Sequence, residues 1–596
     1  MTERKTLVKT VLGDTDLLLY SMEGEEALSE PFTLTLQLLS NLKNPPIDQQ
    51  ALLGTPMTVH LEPVFLGGTP LEKTVMRYWH GYVARVQQEH GSRGRYRVYT
   101  VELRPWLWFL SQSSDCRIFQ QQSVPQIIEQ VFTENGFTDY ELNLGSYAPR
   151  EYCVQYRETD LDFVHRLLEH EGIYYYFKHQ QSKHTLVLVD GTTAHMPLPQ
   201  YASIDFAVDE SMQPDTIGER IDEWRPVHQV CTGSYAHKDY DFKRPNLRLY
   251  TRCPPKQLHK LNRFEKYDYP GGYTEESTGN RYARIRLEAE HALFNTVDGA
   301  GNTHGIAPGS TFTLAVPSDD VAFALGKEQK EHLVARAHYS FAVQPYETTE
   351  DLALRPFRCT FSALKAPFKF RPPRKTPRPV VGGLHVARVV GRKGEEIDVD
   401  EYGRIKVQFA WDMDGTFDEN SSCRIRVAQK WAGSKWGAQH WPRIGNEVVV
   451  SFVDGDPDRP LVVGSVYNGK NKPPFAKDAE SGLKTDSTKN AVGFNQLSFV
   501  DTAGKELIDV HAQRDMRTKV KHDMETQVKN EYSLEAGRGS ETLNMKQLEL
   551  KFGIASVTLR DTLLAVRLGA TSVELTPLGI TLTGPTITIR GMLKMG

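Results

Sequence analysis

Three groupings in the 596-residue sequence carry residue types that could do chemistry: His165 with His170; Asp454, Asp456 and Asp458; and Trp431, Trp436 and Trp441. Two histidines on a helix hold a metal ion when they stand four apart, because that spacing stacks both imidazoles on one face. His165 and His170 are five apart and turn to different faces, so exposed helix histidines are the expected reading. The acidic run imitates the start of a calcium loop. Pro457 and Arg459 stand where such a loop needs flexibility and a glycine, and no glutamate follows at its twelfth position, so a tight turn between two buried strands is expected instead. Tryptophans flanked by Lys430, Lys435 and Arg443 could stack bases, as small barrels often do. The chain has 71 Lys and Arg against 75 Asp and Glu, a net charge of -4, and so lacks the basic excess that nucleic-acid binding leaves. Core or interchain packing is the expected role of the three rings, with no nucleic-acid partner.

No G-x-S-x-G, H-E-x-x-H or Walker A spacing occurs. The six cysteines (Cys116, Cys153, Cys231, Cys253, Cys359 and Cys423) never form a C-x-x-C pair, so reduced thiols are expected rather than a zinc or redox motif. The chain reads as a non-enzyme, with no catalytic residue, metal or cofactor. No run approaches the ~18 apolar residues that span a bilayer, and the start "MTERKTLVKTVLGDTD" lacks a signal-peptide centre. Folding in the cytosol is expected, with any export left to a dedicated machine.

The elements that must position these residues are mostly strands. "FTLTLQLLS" alternates Phe32, Leu34, Leu36 and Leu38 with polar partners, and "PMTVHLEP" and "RYRVYTVEL" behave alike. Helical spacing interrupts twice. In "SVPQIIEQVFTENGF", Ile127, Ile128, Val131 and Phe132 share a face and Gly136 stands at the cap; in "ETDLDFVHRLLEHEGIYYYF", Thr159 and Asp162 open a helix that Gly172 closes. A third helix is predicted from Asn280 to Phe294. The first ~370 residues thus suggest β-rich domains with a few helices. "FRPPRKTPRP", Phe370 to Pro379, has the prolines of an extended linker, its basic residues expected to form a solvated strap. From Val381 to Pro474 a turn at Glu401 to Gly403 and apolar strands around Asp454 to Pro460 suit a small closed barrel of the five-stranded OB type.

From about Ser498 the chain becomes periodic. Ile508, Met516 and Met524 are eight apart, as are Ala512, Val520 and Val528. Nearer the end the period is sixteen: Leu548, Leu564 and Ile580; Leu550, Val566 and Leu582; Val557, Val573 and Ile589. Between Leu550, Val557, Val566, Val573, Leu582 and Ile589 the step alternates between seven and nine. Short fixed periods signify stacked β units. A strand of about five residues points only two or three side chains one way, too little apolar area at ~25 cal/mol per Å² to offset ~1–2 kcal/mol of backbone entropy per residue. An eight-residue unit is also too short to circle a core by itself. Three chains wound together can do so, each giving one face of a triangular prism. The predicted interior is Ile508, Val520, Val528, Leu548, Leu550, Val557, Leu559, Leu564, Val566, Val573, Leu575, Ile580 and Leu582, in an obligate trimer. At ~4.8 Å per strand, some ~12 units make a stiff rod of roughly 60 Å. Ile587, Ile589, Met592, Leu593, Met595 and Gly596 would form a blunt apolar tip.

The succession "ETDLDFVHRLLEHEGIYYYF", "FRPPRKTPRP", "DEYGRIKVQFAWD", "RVAQKWAGSKWGAQHWPRIGNEVVVSFVDGDPDRPLVVGSVYNGKNKPPF" and the terminal repeats strongly resembles the VgrG family, the valine-glycine repeat spike proteins of type VI secretion. The resemblance runs over essentially the whole chain, is most specific from Asp400 to Phe475 and weakest from Asp478 to Asn544. It implies a mainly β trimer like the hub and spike of a contractile phage tail, with a two-barrel hub, an OB-fold neck and an intertwined β-helical needle. The corresponding divisions are 1–370, a linker at 371–380, the neck at 381–475, a second linker at 476–497 and the needle at 498–596. It further implies a seat on a hexameric Hcp-like tube, a PAAR-repeat cap on the tip, and effectors with their adaptors driven mechanically across a target-cell membrane. Only about twenty residues part "NKPPF" from the repeats, too few for the lysozyme domain of some phage relatives. The chain stops at Gly596, so cargo is expected to ride non-covalently. Assembly in the cytoplasm and delivery by the type VI apparatus follow. The alternatives are the spike of a contractile phage or related particle, and a spike-borne cell-wall hydrolase, which would need paired carboxylates in a cleft and an inserted helical domain.

Overall fold

The computed structural model describes residues 6–591 apart from 14–16, 62–75, 192–193, 207–218, 256–257, 293, 317–330, 344–356, 368, 490, 534, 536–546 and 561. The chain divides into two units, Met1–His511 and Ala512–Gly596.

The strand Glu30–Asn41 shows why the first unit folds as it does. Its alternation buries Phe32, Leu34, Leu36 and Leu38, each 1% exposed or less, beneath polar partners on the other face. It pairs antiparallel with Leu18–Ala27 on one side and Tyr96–Arg104 on the other. Leu18–Ala27 in turn pairs with Glu331–Ala342, which continues through Arg358–Lys365 and Asn295–Gly301 to Ile221–His228. These strands belong to one twelve-stranded sheet. Its main core has Trp79, Trp106, Tyr99 and Tyr339 fully buried, and a smaller cluster gathers Leu333 and Leu364 with Tyr174, Tyr176, Val187 and Val189.

Four α-helices occur among the described residues: α1 (Gln49–Leu52), α2 (Val124–Glu134), α3 (Asp160–Glu171) and α4 (Glu276–His291). The α2 and α3 predictions hold to within a residue. Ile127, Ile128, Val131 and Phe132 face the core, the Thr159 hydroxyl accepts the Asp162 N–H at 3.0 Å, and Gly172 ends α3 at φ 75°. The third helix instead begins four residues earlier than predicted and stops at His291. Its first turn, Glu-Ser-Thr-Gly, has no apolar residue for periodicity to detect. It is fixed by packing: a Cβ on Gly279 would lie 2.5 Å from the Tyr273 ring.

The expected solvated strap is also corrected. Arg371 donates to the carbonyls of Gly172 and Asp190 at 2.9 and 2.7 Å and to Glu288 at 3.1 Å. Arg374 meets Asp268 at 2.7 Å, and the Thr376 hydroxyl donates to Glu169 at 2.8 Å. Because extended backbone satisfies none of its own groups, the proline-rich segment is held by the hub surface on which it lies.

Beyond the strap, strands Lys406–Phe409, His385–Val390, Glu447–Phe452, Pro460–Val466 and Arg426–Val427 form a five-stranded sheet in that order. A bridge between Ile405 and Ile425 closes it into the expected small barrel, around Val389, Val407, Phe409, Val448, Val450 and Val462. The segment expected as a second linker carries the strand Glu480–Lys484, which pairs with Gln496–Val500 and through it with Leu507–His511.

In the second unit, residues 512–533 contain no strand. Gln547–Phe552, Ala555–Arg560, Leu563–Leu568, Thr571–Thr576 and Gly579–Thr583 then form an antiparallel meander, each strand parted from the next by two residues. Gly553 and Gly569, at φ 60° and 59°, make the tight reversals for which positive φ is required.

Candidate functional site

The eight-residue period of the last segment is six residues of strand plus two of turn. Antiparallel pairing then accounts for the seven–nine alternation. Leu550 lies opposite Val557, Val557 opposite Val566, Val566 opposite Val573, and Val573 opposite Leu582. Two residues along each strand runs a second column, with Leu548 in register with Leu559 and then Leu564, Leu575 and Ile580 in turn. Residues two apart share a face, so the two columns make one apolar surface. The opposite face is mainly polar, with Glu574 held by Arg567 at 2.7 Å, although Leu563 and the buried Ala565 also lie on it.

Among the described residues this apolar surface is largely uncovered, with Val557 and Leu564 part-buried and the rest of both columns exposed. Val573 is 37% exposed and Ile580 68%, against 0% for Leu34 in the hub. Of the predicted interior residues, the structure therefore brings Leu550, Val557, Leu559, Leu564, Val566, Val573, Leu575, Ile580 and Leu582 onto one ribbon face. Val520 and Val528 stand about half exposed on backbone without a ladder, and Ile508 lies in the separate sheet of 480–511. Ile587 and Ile589 follow the last strand and are exposed; Met592, Leu593, Met595 and Gly596 lie outside the described residues.

The 480–511 sheet repeats the pattern. Leu483, Leu497 and Val510 stand in register across its three strands, with Phe499 opposite Ile508 beside them, and all five are exposed. Of this face only Ile508 is expected as interior from the sequence, and the linker assignment at 476–497 passes over Leu483 and Leu497.

The chemistry-bearing residues take other roles. His165 is not exposed: its Nε2 lies 2.9 Å from the Tyr175 hydroxyl, and burial depresses its pKa to about 4. His170 is buried too, with Nδ1 3.0 Å from an Arg378 guanidinium nitrogen; burial and then Arg150, Arg286 and Arg378 keep it well below the ordinary histidine range. Beside it Glu171 receives Arg150 at 2.8 Å and Arg281 at 2.6 Å. Burial alone would raise this carboxyl, but the two arginines outweigh it and hold the pKa below the usual value.

The acidic run does form a turn, with Asp454 at φ 57°, yet Asp458 reaches across to the hub and accepts the Val154 N–H at 2.6 Å. Burial and then Asp456 push its pKa up to about 6. Arg459 meets Asp239 at 3.3 Å, and Tyr156 hydroxyl lies 3.1 Å from His385 Nε2. The neck barrel is thus bonded to the hub in part through Asp458 and Arg459, which spacing alone assigned to a tight turn between two strands.

The tryptophans separate. Trp441 covers Gly403, where a Cβ would lie 1.9 Å from the ring, whereas Trp431 and Trp436 are 65% and 57% exposed. Packing in the chain's own core is ruled out for that pair. Among the described residues no group of three or more His, Cys, Asp or Glu could hold a metal ion, and no helix is long and apolar enough to cross a membrane.

This succession of parts matches three family models in order. The phage tail baseplate hub (GPD) covers residues 25–345, the type VI secretion system/phage-baseplate injector OB domain 388–467, and the bacteriophage T4 gp5 C-terminal trimerisation domain 481–547. The type VI secretion system spike protein VgrG1a of Pseudomonas aeruginosa is 43% identical over 531 residues, 87% of this chain and 79% of that protein. The chain belongs to the VgrG family of type VI secretion spike proteins.

Two solved structures share this VgrG fold at low identity. An E. coli component of the type VI secretion system, similar to T4 bacteriophage tail proteins gp27 and gp5, superposes with a TM-score of 0.53 at 22% identity, over 77% of this chain and 99% of its own. The lidded Francisella PdpA–VgrG complex gives 0.57 at 9% identity, over 97% and 80%. A mainly β VgrG chain with a phage-like hub, an OB-fold neck and a trimerising β needle is the architecture expected from the sequence.

Proposed function

We propose that three copies of this chain assemble as the puncturing tip of a type VI secretion apparatus. The observation that carries this is the uncovered apolar face of 547–583. Three such ribbons, turned inward, bury one another's columns and leave three polar faces in water, each chain supplying one side of a prism. Burial of these side chains is worth ~25 cal/mol per Å², and a rod with every internal strand paired resists bending when pushed along its axis.

The strandless 512–533 segment fits the same assembly. Its eight-residue columns lack a ladder in one chain because their pairing partners belong to the other two. We place the start of the needle near residue 480 rather than 498, since the first exposed apolar sheet begins there.

In this reading the hub sits on a hexameric tube, and Ile587, Ile589, Met592, Leu593, Met595 and Gly596 form the end that a PAAR-type cap covers. Effectors ride non-covalently, directly or through adaptors. The spike is assembled in the cytoplasm and leaves with the apparatus when it fires. Its contribution is mechanical, without a catalytic step.

Absolute mass by light scattering tests the central point, comparing the full-length chain with one ending at Pro474. The expected result is three chains for the full-length protein and loss of the trimer on truncation. A monodisperse full-length monomer would refute the spike assembly.

A further inference from the structure

The neck carries a second uncovered apolar feature, smaller than the needle face and of different construction. Residues Ala432–Gly433 and Trp436–Gly437 pair as a minimal hairpin, flanked by Lys430 and carrying Lys435 at its turn. Trp431 and Trp436 meet edge to face on it, ring centroids 5.0 Å apart. Trp436 lies over Gly433, where a Cβ would come 2.2 Å from the ring, and Gly437 and Lys435 hold the turn at φ 135° and 63°. These contacts fix the shape of the two rings while leaving more than half of each in water.

The root of the hairpin is bonded as firmly as its tip is bare. The Trp431 carbonyl accepts the Ala438 N–H at 2.9 Å, and Gln429 accepts the His440 N–H at 2.9 Å while donating to the His440 carbonyl at 3.2 Å. Three residues on, Arg443 donates to the Asp486 carbonyl at 2.6 Å. Asp486 lies two residues beyond the strand Glu480–Lys484, which opens the trimerisation domain and carries Leu483 on its exposed apolar face. The ring pair therefore stands where the neck meets the first surface that gathers other copies.

We infer that Trp431 and Trp436 form an interchain latch, docking on the neck and first needle sheet of a neighbouring copy of this chain. The inference rests on the trimer proposed above, and it assigns a contact that the needle alone does not require. A second copy is favoured over a foreign partner by continuity. Once the needle faces meet, the neighbouring neck is present at a high effective concentration, and a rigid pair of aromatic rings is covered at little further entropic cost. Paired exposed tryptophans on a preformed hairpin also have the composition of an interface hot spot.

The test uses the full-length chain with Trp436→p-benzoylphenylalanine, irradiated and run on a denaturing gel. The product is digested for mass spectrometry to map the attachment. The expected result is a covalent dimer joined within residues 380–511 of the second copy. In parallel, W431A/W436A is diluted and weighed by light scattering; dissociation at a protein concentration at least ~10-fold higher than wild type is expected, as for loss of a hot spot. If wild type is trimeric but position 436 gives no interchain product and the double variant dissociates like wild type, the latch is overturned and the trimer stands. A monomeric wild type would overturn both. If the alanine variant does not fold, the cross-link decides alone.

Discussion

The hub and the terminal ribbon of this chain are both antiparallel sheets with strict alternation, yet one is finished and the other is half of something. In the hub, Leu34, Leu36 and Leu38 alternate toward a core that the same chain closes from the other side, with Trp79, Tyr339 and Phe32 filling it. In the ribbon, Val557, Val566 and Val573 alternate just as regularly, yet among the described residues Val566 and Val573 stay 45% and 37% exposed. The difference lies in length and return. Hub strands of ten to twelve residues, such as Leu18–Ala27 and Glu331–Ala342, pair although they stand about 300 positions apart, so the chain returns over itself. Six-residue strands joined by two-residue turns can only progress along an axis. Amphipathic pattern alone therefore does not separate a domain from a subunit of an assembly; the closure available to the chain does.

The comparison breaks most sharply at Val573. Val573→Asp would bring three carboxylates together near one axis, each costing several kcal/mol if unpaired, and is expected to abolish the trimer while leaving the hub folded. Light scattering and near-ultraviolet circular dichroism on the same sample check this. A stable trimeric variant would mean that the columns do not face inward.

The converse change is Trp79→Ala, a fully buried hub ring. It should cost ~3–5 kcal/mol of hub stability through lost transfer energy and the cavity left behind. The needle should still bring three chains together, so denaturant unfolding of the hub would shift while the mass stays that of a trimer.

A smaller effect separates the regions by acid. His80 Nδ1 lies 2.9 Å from His184 Nδ1 in the hub core, and burial followed by the nearby His179 depresses the His80 pKa to about 4. His165 is depressed to about 4 as well, chiefly by burial. A histidine whose folded pKa is lowered contributes its full stability above ~6.5, its unfolded value, and loses it as pH falls through the folded value. The hub is expected to weaken between about pH 6.5 and pH 4, by the order of 2–3 kcal/mol for His80 alone at ~1.4 kcal/mol per tenfold change in proton binding. Residues 547–583 contain no histidine, so their strand signal should persist through that window. Thermal melts of the hub across this range that do not move would contradict the buried-neutral assignment.

Much of this was legible in the sequence because the signals were local. Period-two alternation located Glu30–Asn41, capping residues located α3, and the seven–nine spacing located the ribbon before any pairing was known. What sequence could not convey was pairing at a distance. His165 and His170 read as exposed because nothing in their own helix announces Tyr175 or Arg378. Asp458 read as a turn residue because its partner, the Val154 N–H, is 304 positions away. The strap read as solvated for the same reason: its arginines satisfy carbonyls and carboxylates that only the folded hub brings within reach. Among the candidate residues, the ribbon columns were found because their register is set by two-residue turns. Leu483, Leu497 and Phe499 were missed because their loops are longer and their period is absent.

The two-residue turns have one further consequence, for how such a chain can change its length. Adding a single strand-and-turn unit of eight residues would reverse the direction in which the backbone leaves the ribbon and send the tip to the opposite edge. Adding two restores both direction and facing. The ribbon can therefore be lengthened or shortened without redesign only in increments of sixteen residues, each worth about 10 Å along the stacking axis. Reach becomes a graduated quantity, set by counting hairpins, and variation in it is expected to come from duplication and deletion of whole hairpins rather than from gradual insertion.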